Sequence, residues 1–388
     1  MRILLTSLPA VGHFNSLLPL AQAAREAGHE IGIVTAPAFA KDAAAAGMRH
    51  FPGGAASFGE LVAGAPPGRG RRRMVWTQRT AFGTRAPQRL IPDLVAVVKE
   101  WSPDVLVRES TEYAGCLVAE KAGLPHASVA TGSTGSQTDR PRLLRGVLDD
   151  RRAEIGLAPD PHGLMMYRYL HFALTPPRWE EESQPPATAH FIRYENPSRA
   201  GEHRPPWLDQ PRDRPLVLAS LGTLMYREEG LLEAIVEALA DEPIEAVVVI
   251  GPDGDTARFG TLPVNVRLEA LVPQMTVLAE CSLFVTHGGF NSTKEALSLG
   301  VPLVVIPIGA DQHFTAKRVD ALGLGMAVSP AQRTPGIIRS RVRAVLADPR
   351  YRRNAEAFAA DMASLPPLTH AVTLLERLAR DHQPIIRQ

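Results

Sequence analysis

MRILLTSLPAVGHFNSLLPLAQAAREAGHEIGIVT (1–35) reads as strand, turn, helix, strand. Arg2–Ser7 is an unbroken apolar run without alternation, the pattern of a strand covered on both faces of a parallel sheet. Ser16–Ala27 has helical character, with Asn15 or Ser16 as the cap, Pro19 in the first turn and Gly28 as the stop. Glu30–Thr35 is the second strand. Further on, Asp104–Val107 and Ala127–Ala130 read as strands around a helix at Tyr113–Ala122. Strands alternating with helices of this length predict a parallel α/β sheet with right-handed crossovers.

The pattern restarts in the second half. Leu216–Ser220, Ala246–Ile250, Leu283–Thr286 and Pro302–Val305 read as strands, Leu231–Leu239 and Asn291–Leu299 as helices. A chain of 388 residues exceeds what one hydrophobic core usually serves. The expected layout is a first domain over 1–200, a Pro-rich linker over 201–215 and a second domain over 216–365. A terminal stretch, 366–388, follows, whose amphipathic helix at Leu368–Arg380 is expected to pack back toward the first domain. In doubly wound sheets ligands bind beyond the carboxyl ends of the strands, so the loops that follow strands carry the information. Residues 53–90 are Gly- and Pro-rich with a knot at Arg69, Arg71, Arg72 and Arg73, and are expected to form a functional loop or a partly disordered one. The knot fits a solvated surface or an anionic partner.

Composition narrows the classes. Lys and Arg total 42 against 41 Asp and Glu, a net charge of +1, which argues against a nucleic-acid partner. With 45% hydrophobic and 21% charged residues, a substantial core is expected. Cys116 and Cys281 are too few for a disulfide framework or a thiolate zinc site, so a reducing, cytoplasmic compartment is expected. No apolar run approaches the roughly 20 residues of a membrane span. The amino terminus also lacks the long apolar stretch of a signal peptide.

The strongest local signal is THGGFNSTKEALSLGVPLVVIPIGADQ (286–312). A buried strand ends at Thr286, Gly288 and Gly289 let a backbone approach a ligand, and a helix opens near Ser292. Its free N–H groups and positive dipole end form an anion site, to which His287 adds a hydrogen bond or a charge. Glu295 has two readings: a ligand contact, or the acid of a capping box with Ser292.

This run resembles the sugar-nucleotide signature of the family-1 glycosyltransferases, which include plant secondary-product and bacterial antibiotic or macrolide enzymes. Other pieces match in the family's order: GHFNSLLPLA (12–21), SLGT (220–223), VPQ (272–274), then Glu295 and the pair Asp311–Gln312. The resemblance spans nearly the whole chain. It implies the GT-B fold, an α/β architecture of two Rossmann-like doubly wound domains facing a central cleft. It further implies transfer of a hexose or deoxyhexose from a UDP- or dTDP-sugar to a hydroxyl of a small natural-product-like acceptor. The reaction would be inverting and would need neither metal nor cofactor, with the nucleotide sugar as a substrate. The enzyme would be a monomer or a homodimer.

Residue by residue, the resemblance implies that His287, Gly288, Gly289, Asn291 and Ser292 hold the diphosphate, assisted by Thr223. Glu295 would accept from the ribose hydroxyls, Val272 and Gln274 would meet the base, and Asp311 and Gln312 the transferred sugar. The last pair suits a hexose with free hydroxyls, which favours a UDP-hexose over a dTDP-deoxysugar. Plant members stack the base on a Trp where this chain has Leu271, so stacking is weaker or comes from elsewhere.

His13 is the candidate general base, in the loop after the first strand. Its partner in the family is usually Asp; here the position holds Glu109, which otherwise reads as a surface carboxylate paired with Arg108. Histidine suits removal of a hydroxyl proton near neutrality. Asp253-Gly254-Asp255 spells a metal-binding DxD but sits in a Gly/Pro turn. Ser133 lacks the spacing of a nucleophile elbow. Two other functions remain open at this point: transfer to a lipid-linked acceptor at a membrane surface, and a catalytically silent sugar-nucleotide-binding partner protein.

Overall fold

The structure, a computed structural model, describes residues 1–68, 70–132, 140–180, 184–196 and 203–387. By its internal packing the chain divides into two units, Met1–Pro197 with Leu365–Gln388, and Ser198–Ser364.

The first unit holds a sheet of seven strands among the described residues: β1 (Arg2–Thr6), β2 (Glu30–Thr35), β3 (Arg49–Pro52), β4 (Val105–Glu109), β5 (His126–Val129), β6 (Leu170–Ala173) and β7 (Ala189–Phe191). Their order is β3-β2-β1-β4-β5-β6-β7, parallel throughout. Ile3 and Leu5 of β1 enter a core with Leu17 and Leu20, whereas Leu4 enters the opposite one with Leu94 and Leu117. Both faces are covered, so β1 shows no polar alternation. The helix at Leu368–Asp381 belongs to this unit and places Leu374, Leu375 and Leu378 in the same core as Leu17 and Leu20. Each such leucine contributes about 1.5–3 kcal/mol relative to exposure.

The second unit repeats the plan with β8 (Leu216–Ser220), β9 (Glu245–Val249), β10 (Val266–Glu269), β11 (Leu283–Thr286), β12 (Leu303–Val305) and β13 (Gly325–Ala327). The order is β10-β9-β8-β11-β12-β13, again parallel.

Several expectations need correcting. The first helix starts at Val11, not Ser16, because the Ala10 carbonyl accepts from both His13 and Phe14 N–H and no side chain caps the turn. Pro19 is therefore interior, and Ser16 Oγ turns back to donate to the His13 carbonyl at 2.6 Å. Residues 53–90 are not chiefly a loop. A helix opens at Arg71, widens into π-helical turns over Thr77–Arg85 and runs on through Ala86–Trp101. Arg71 and Arg72 are exposed in its first turn, Arg73 donates to the Pro66 carbonyl at 2.8 Å, and Arg69 lies outside the described residues. So do Ser133 and residues 201 and 202. The rest of the linker stretch packs on the second unit: Leu208 is buried, and Arg204 and Arg212 reach Glu280 at 3.0 and 3.4 Å.

Candidate functional site

Strand order reverses once in each sheet, between β1 and β4 and between β8 and β11. Loops leaving the carboxyl ends of these strands diverge and leave a crevice, the usual ligand position of a doubly wound sheet. His13 and Glu109 sit at the first reversal and Thr223 and residues 287–292 at the second, while Val272 and Gln274 follow β10 and Asp311 and Gln312 follow β12.

At the first, His13 stands in the opening turn of the Val11–Glu26 helix rather than in the preceding loop, and Glu109 is the last residue of β4. His13 Nδ1 lies 3.0 Å from Glu109 Oε1. Glu109 is fully buried, not a surface carboxylate, and the hydrogen bonds of Arg108 go to the carbonyls of Glu109, Glu112 and Met166. Burial alone would raise the Glu109 pKa. The His13 charge and hydrogen bond, with the hydrogen bonds from the Thr111 N–H and hydroxyl, outweigh burial and bring it down to about 2. The carboxylate is thus anionic, and Nδ1 is the donor to it. Among the described residues the hydrogen bonds of the imidazole all fall on Nδ1, so Nε2 is the atom left to take a proton. Phe58 and Phe82 stand 6.1 Å from the imidazole and 6.0 Å from each other, an apolar rim supplied by the segment expected to be a loop.

At the second reversal Ser220 pairs with Thr286 across β8 and β11, so the two following loops start side by side. The His287 ring fills the space between them. A Cβ on Gly222 would meet it at 2.7 Å and one on Gly289 at 2.5 Å; Gly222 also has φ 69°, the left-handed region. His287 is buried, which draws its pKa to about 4 against the opposing Ser220 backbone, so the ring is neutral. Its Nδ1 has no partner among the described residues. The helix begins at Phe290 with Gly289 as its cap residue, no side-chain cap and no acid in the first turn. Ser292 and Glu295 therefore do not form a capping box. Glu295 Oε2 instead accepts from Gln274 Nε2 at 2.5 Å.

The remaining candidates lie in the second unit. Thr223 is exposed in the turn after β8, and Asn291 and Ser292 are half-buried at the start of the Phe290–Ser298 helix. Val272 is half-buried beside Gln274, in the loop that follows β10, while Leu271 is 62% exposed. Asp311 is the cap residue of the Gln312–Ala321 helix after β12. Gln312 is buried with its side-chain carbonyl accepting from Ile308 and Gly309 N–H at 2.7 and 2.9 Å, which leaves its amide to donate. Its backbone carbonyl lies 3.6 Å from where a Gly288 Cβ would be. Asp253 accepts from Tyr226 Oη at 2.6 Å and pairs with Arg227, while Asp255 accepts from Ala257 N–H. No cluster of three or more His, Cys, Asp or Glu suited to a metal occurs among the described residues.

Sequence reasoning passed over Thr111, Phe58, Phe82 and Lys294. Lys294, on the Phe290–Ser298 helix, is buried with Nζ 4.8 Å from the Phe290 ring centre; burial lowers its pKa to about 7 against the pull of Glu295. Gly222 was visible within the SLGT run, its role as a wall for His287 was not.

The erythromycin biosynthesis protein CIII-like family models match this chain, the N-terminal domain over residues 22–154 and the C-terminal domain over 233–378. The chain is 28% identical to tylactone mycaminosyltransferase of Streptomyces fradiae, over 99% of this chain and 93% of that protein. It is also 28% identical to the 3-alpha-mycarosylerythronolide B desosaminyl transferase of Saccharopolyspora erythraea, over 98% of each. The solved structure of the glycosyltransferase VinC in complex with dTDP superposes with a TM-score of 0.81 at 28% identity, covering 98% of this chain and 100% of that one. Two parallel Rossmann-like sheets, the paired His13 and Glu109, and family matches along both halves agree: the chain is a glycosyltransferase of GT-B fold and belongs to the family-1 natural-product glycosyltransferases.

Proposed function

We propose that the enzyme transfers a sugar from a dTDP- or UDP-sugar to a hydroxyl of a small natural-product acceptor, with inversion at the anomeric carbon and without a metal ion or cofactor. The reading is carried by the 3.0 Å contact between His13 Nδ1 and the buried, anionic Glu109. Nε2 takes the proton of the acceptor hydroxyl, a contribution of about 10²–10⁴-fold. The oxygen then bonds the anomeric carbon from the face opposite the nucleotide, and the bond to the diphosphate breaks, which inverts the centre. Glu109 stabilises the imidazolium formed.

On the donor side, the uncapped start of the Phe290–Ser298 helix, neutral His287 and the backbone at Gly288 and Gly289 receive the diphosphate, with Thr223, Asn291 and Ser292 adding donors. Gln274 and Val272 meet the base, Glu295 the ribose, and Asp311 with the Gln312 amide the sugar. VinC's dTDP and the aminosugar names of the relatives favour dTDP over UDP. Buried, unpaired Cys116 and Cys281 and the absence among the described residues of any helix long and apolar enough to cross a membrane support work in the cytoplasm on a diffusible acceptor.

A thermal-shift panel of dTDP, UDP and GDP tests the donor: dTDP is expected to give the largest rise. His13→Ala is expected to keep that rise while product formation, read by mass spectrometry against an acceptor panel, falls by about 10²–10⁴-fold. Wild-type turnover by the variant would remove His13 as the base.

A further inference from the structure

Glu109 stands where the family usually has the shorter aspartate. Its extra methylene adds a torsion, and a carboxylate on a longer arm must be braced to keep one oxygen against one ring nitrogen. Burial by itself supplies no direction. The bracing comes from the residue two places on. Thr111 N–H donates to Glu109 Oε2 at 2.7 Å, and Thr111 Oγ1 lies 2.8 and 2.9 Å from Oε2 and Oε1. The same hydroxyl oxygen is 3.1 Å from His13 Nδ1, placed to accept from it while its own proton goes to the carboxylate. Thr131 Oγ1 adds a longer contact to Oε2 at 3.3 Å and is itself held by Ser110. Thr111 is 4% exposed, so water does not compete for these bonds. Arg108, the adjacent cation, is spent on carbonyls and does not reach the carboxylate.

We propose that Thr111 is the positioning residue that clamps Glu109 against His13 and so holds the ring proton on Nδ1, leaving the Nε2 lone pair for the acceptor. The inference rests on the proton-transfer reading above, but it concerns the free enzyme and is read there. A threonine whose hydroxyl only satisfies a buried carboxylate would leave the tautomer unmoved when another group took its place.

The full chain labelled with ¹⁵N-histidine gives long-range ¹H–¹⁵N spectra in which the averaged Nδ1 and Nε2 shifts of the neutral ring report the tautomer ratio; His13 is assigned by its loss in His13→Gln. Wild type is expected as the Nδ1–H form. In Thr111→Val, melting cooperatively, the ratio of Nε2–H to Nδ1–H is expected to rise about fivefold, the effect of one buried hydrogen bond. Thr111→Ser keeps the hydroxyl and is expected to retain the wild-type ratio. An unchanged ratio in folded Thr111→Val overturns the proposal. So does a raised ratio in Thr111→Ser, which decides the matter should the valine variant not fold. Neither result touches the His13→Ala transfer test, so the two readings fail separately.

Discussion

The two strand-order reversals occupy equivalent places in two similar sheets, yet they are built from opposite materials. At β1 and β4 the candidate groups are side chains, among them a buried charge, Glu109, held anionic by its neighbours. At β8 and β11 the candidate surface is backbone: two glycines against a neutral His287 ring and a helix start without a side-chain cap. In the proposed reaction, proton transfer would create a cation on the imidazole, and a pre-placed anion in a dry setting would stabilise that product state. Binding a diphosphate that arrives charged needs N–H donors at close range, which only short residues permit.

Breaking the charge end should have the largest effect. Glu109→Gln is expected to lower transfer about 10²-fold while dTDP affinity by calorimetry stays within about twofold of wild type. Equal losses in both would merge the two ends into one. Breaking the backbone end should be milder and complementary. Gly222→Ala places a Cβ 2.7 Å from His287 at φ 69° and is expected to weaken dTDP binding about tenfold, with the His13 tautomer spectrum unaltered. Smaller again is Glu295→Ala: about a fivefold loss of nucleotide affinity, with the melting temperature held because the residue does not cap its helix. A fall in melting temperature at intact affinity would return it to a structural role.

The charge end can also be separated from itself by pH. Glu112, three residues from Glu109, is equally buried; burial, against the Thr6 hydroxyl at 2.5 Å and the charge of Arg108, raises its pKa from 4.5 to about 7. Glu109, lowered from 4.5 to about 2, contributes stability that is full above pH 4.5 and lost as pH falls toward 2. Glu112 contributes in the other sense: its stabilisation is full below pH 4.5 and lost as pH rises through 7. Between pH 5 and 8 that loss is on the order of 3 kcal/mol. Urea unfolding of Glu112→Gln should therefore show a flatter dependence across this range than wild type. Parallel curves would mean Glu112 does not titrate there.

Much of this was legible beforehand, for identifiable reasons. Leu216–Ser220 and Leu283–Thr286 appear with the expected ends because continuous apolar runs bounded by breakers mark central strands. Shorter strands, β3, β7 and β13, span three or four residues, too few to show a period. The helical stretch from Arg71 to Trp101 was hidden by its arginines and by Pro87 and Pro92, both of which the continuous helix carries. In the first helix Asn15 and Ser16 are good caps in isolation, but the Ala10 carbonyl had already started the turn. Motif residues were visible because each has a fixed spacing. Thr111, Phe58 and Phe82 were not, since nothing in spacing reports which way a hydroxyl or a ring points.

The helix at Leu368–Asp381 completes a core whose other members begin at Ile3. During synthesis the Val11–Glu26 helix emerges before the second unit, whereas the leucines that cover its apolar face emerge after it. The second unit is one continuous stretch, Ser198–Ser364, and is fully translated before that cover exists. Domains usually finish in the order in which they are made. Here the later-made unit can be finished first, and the ribosome must deliver all of it before the half that bears His13 can close its own core.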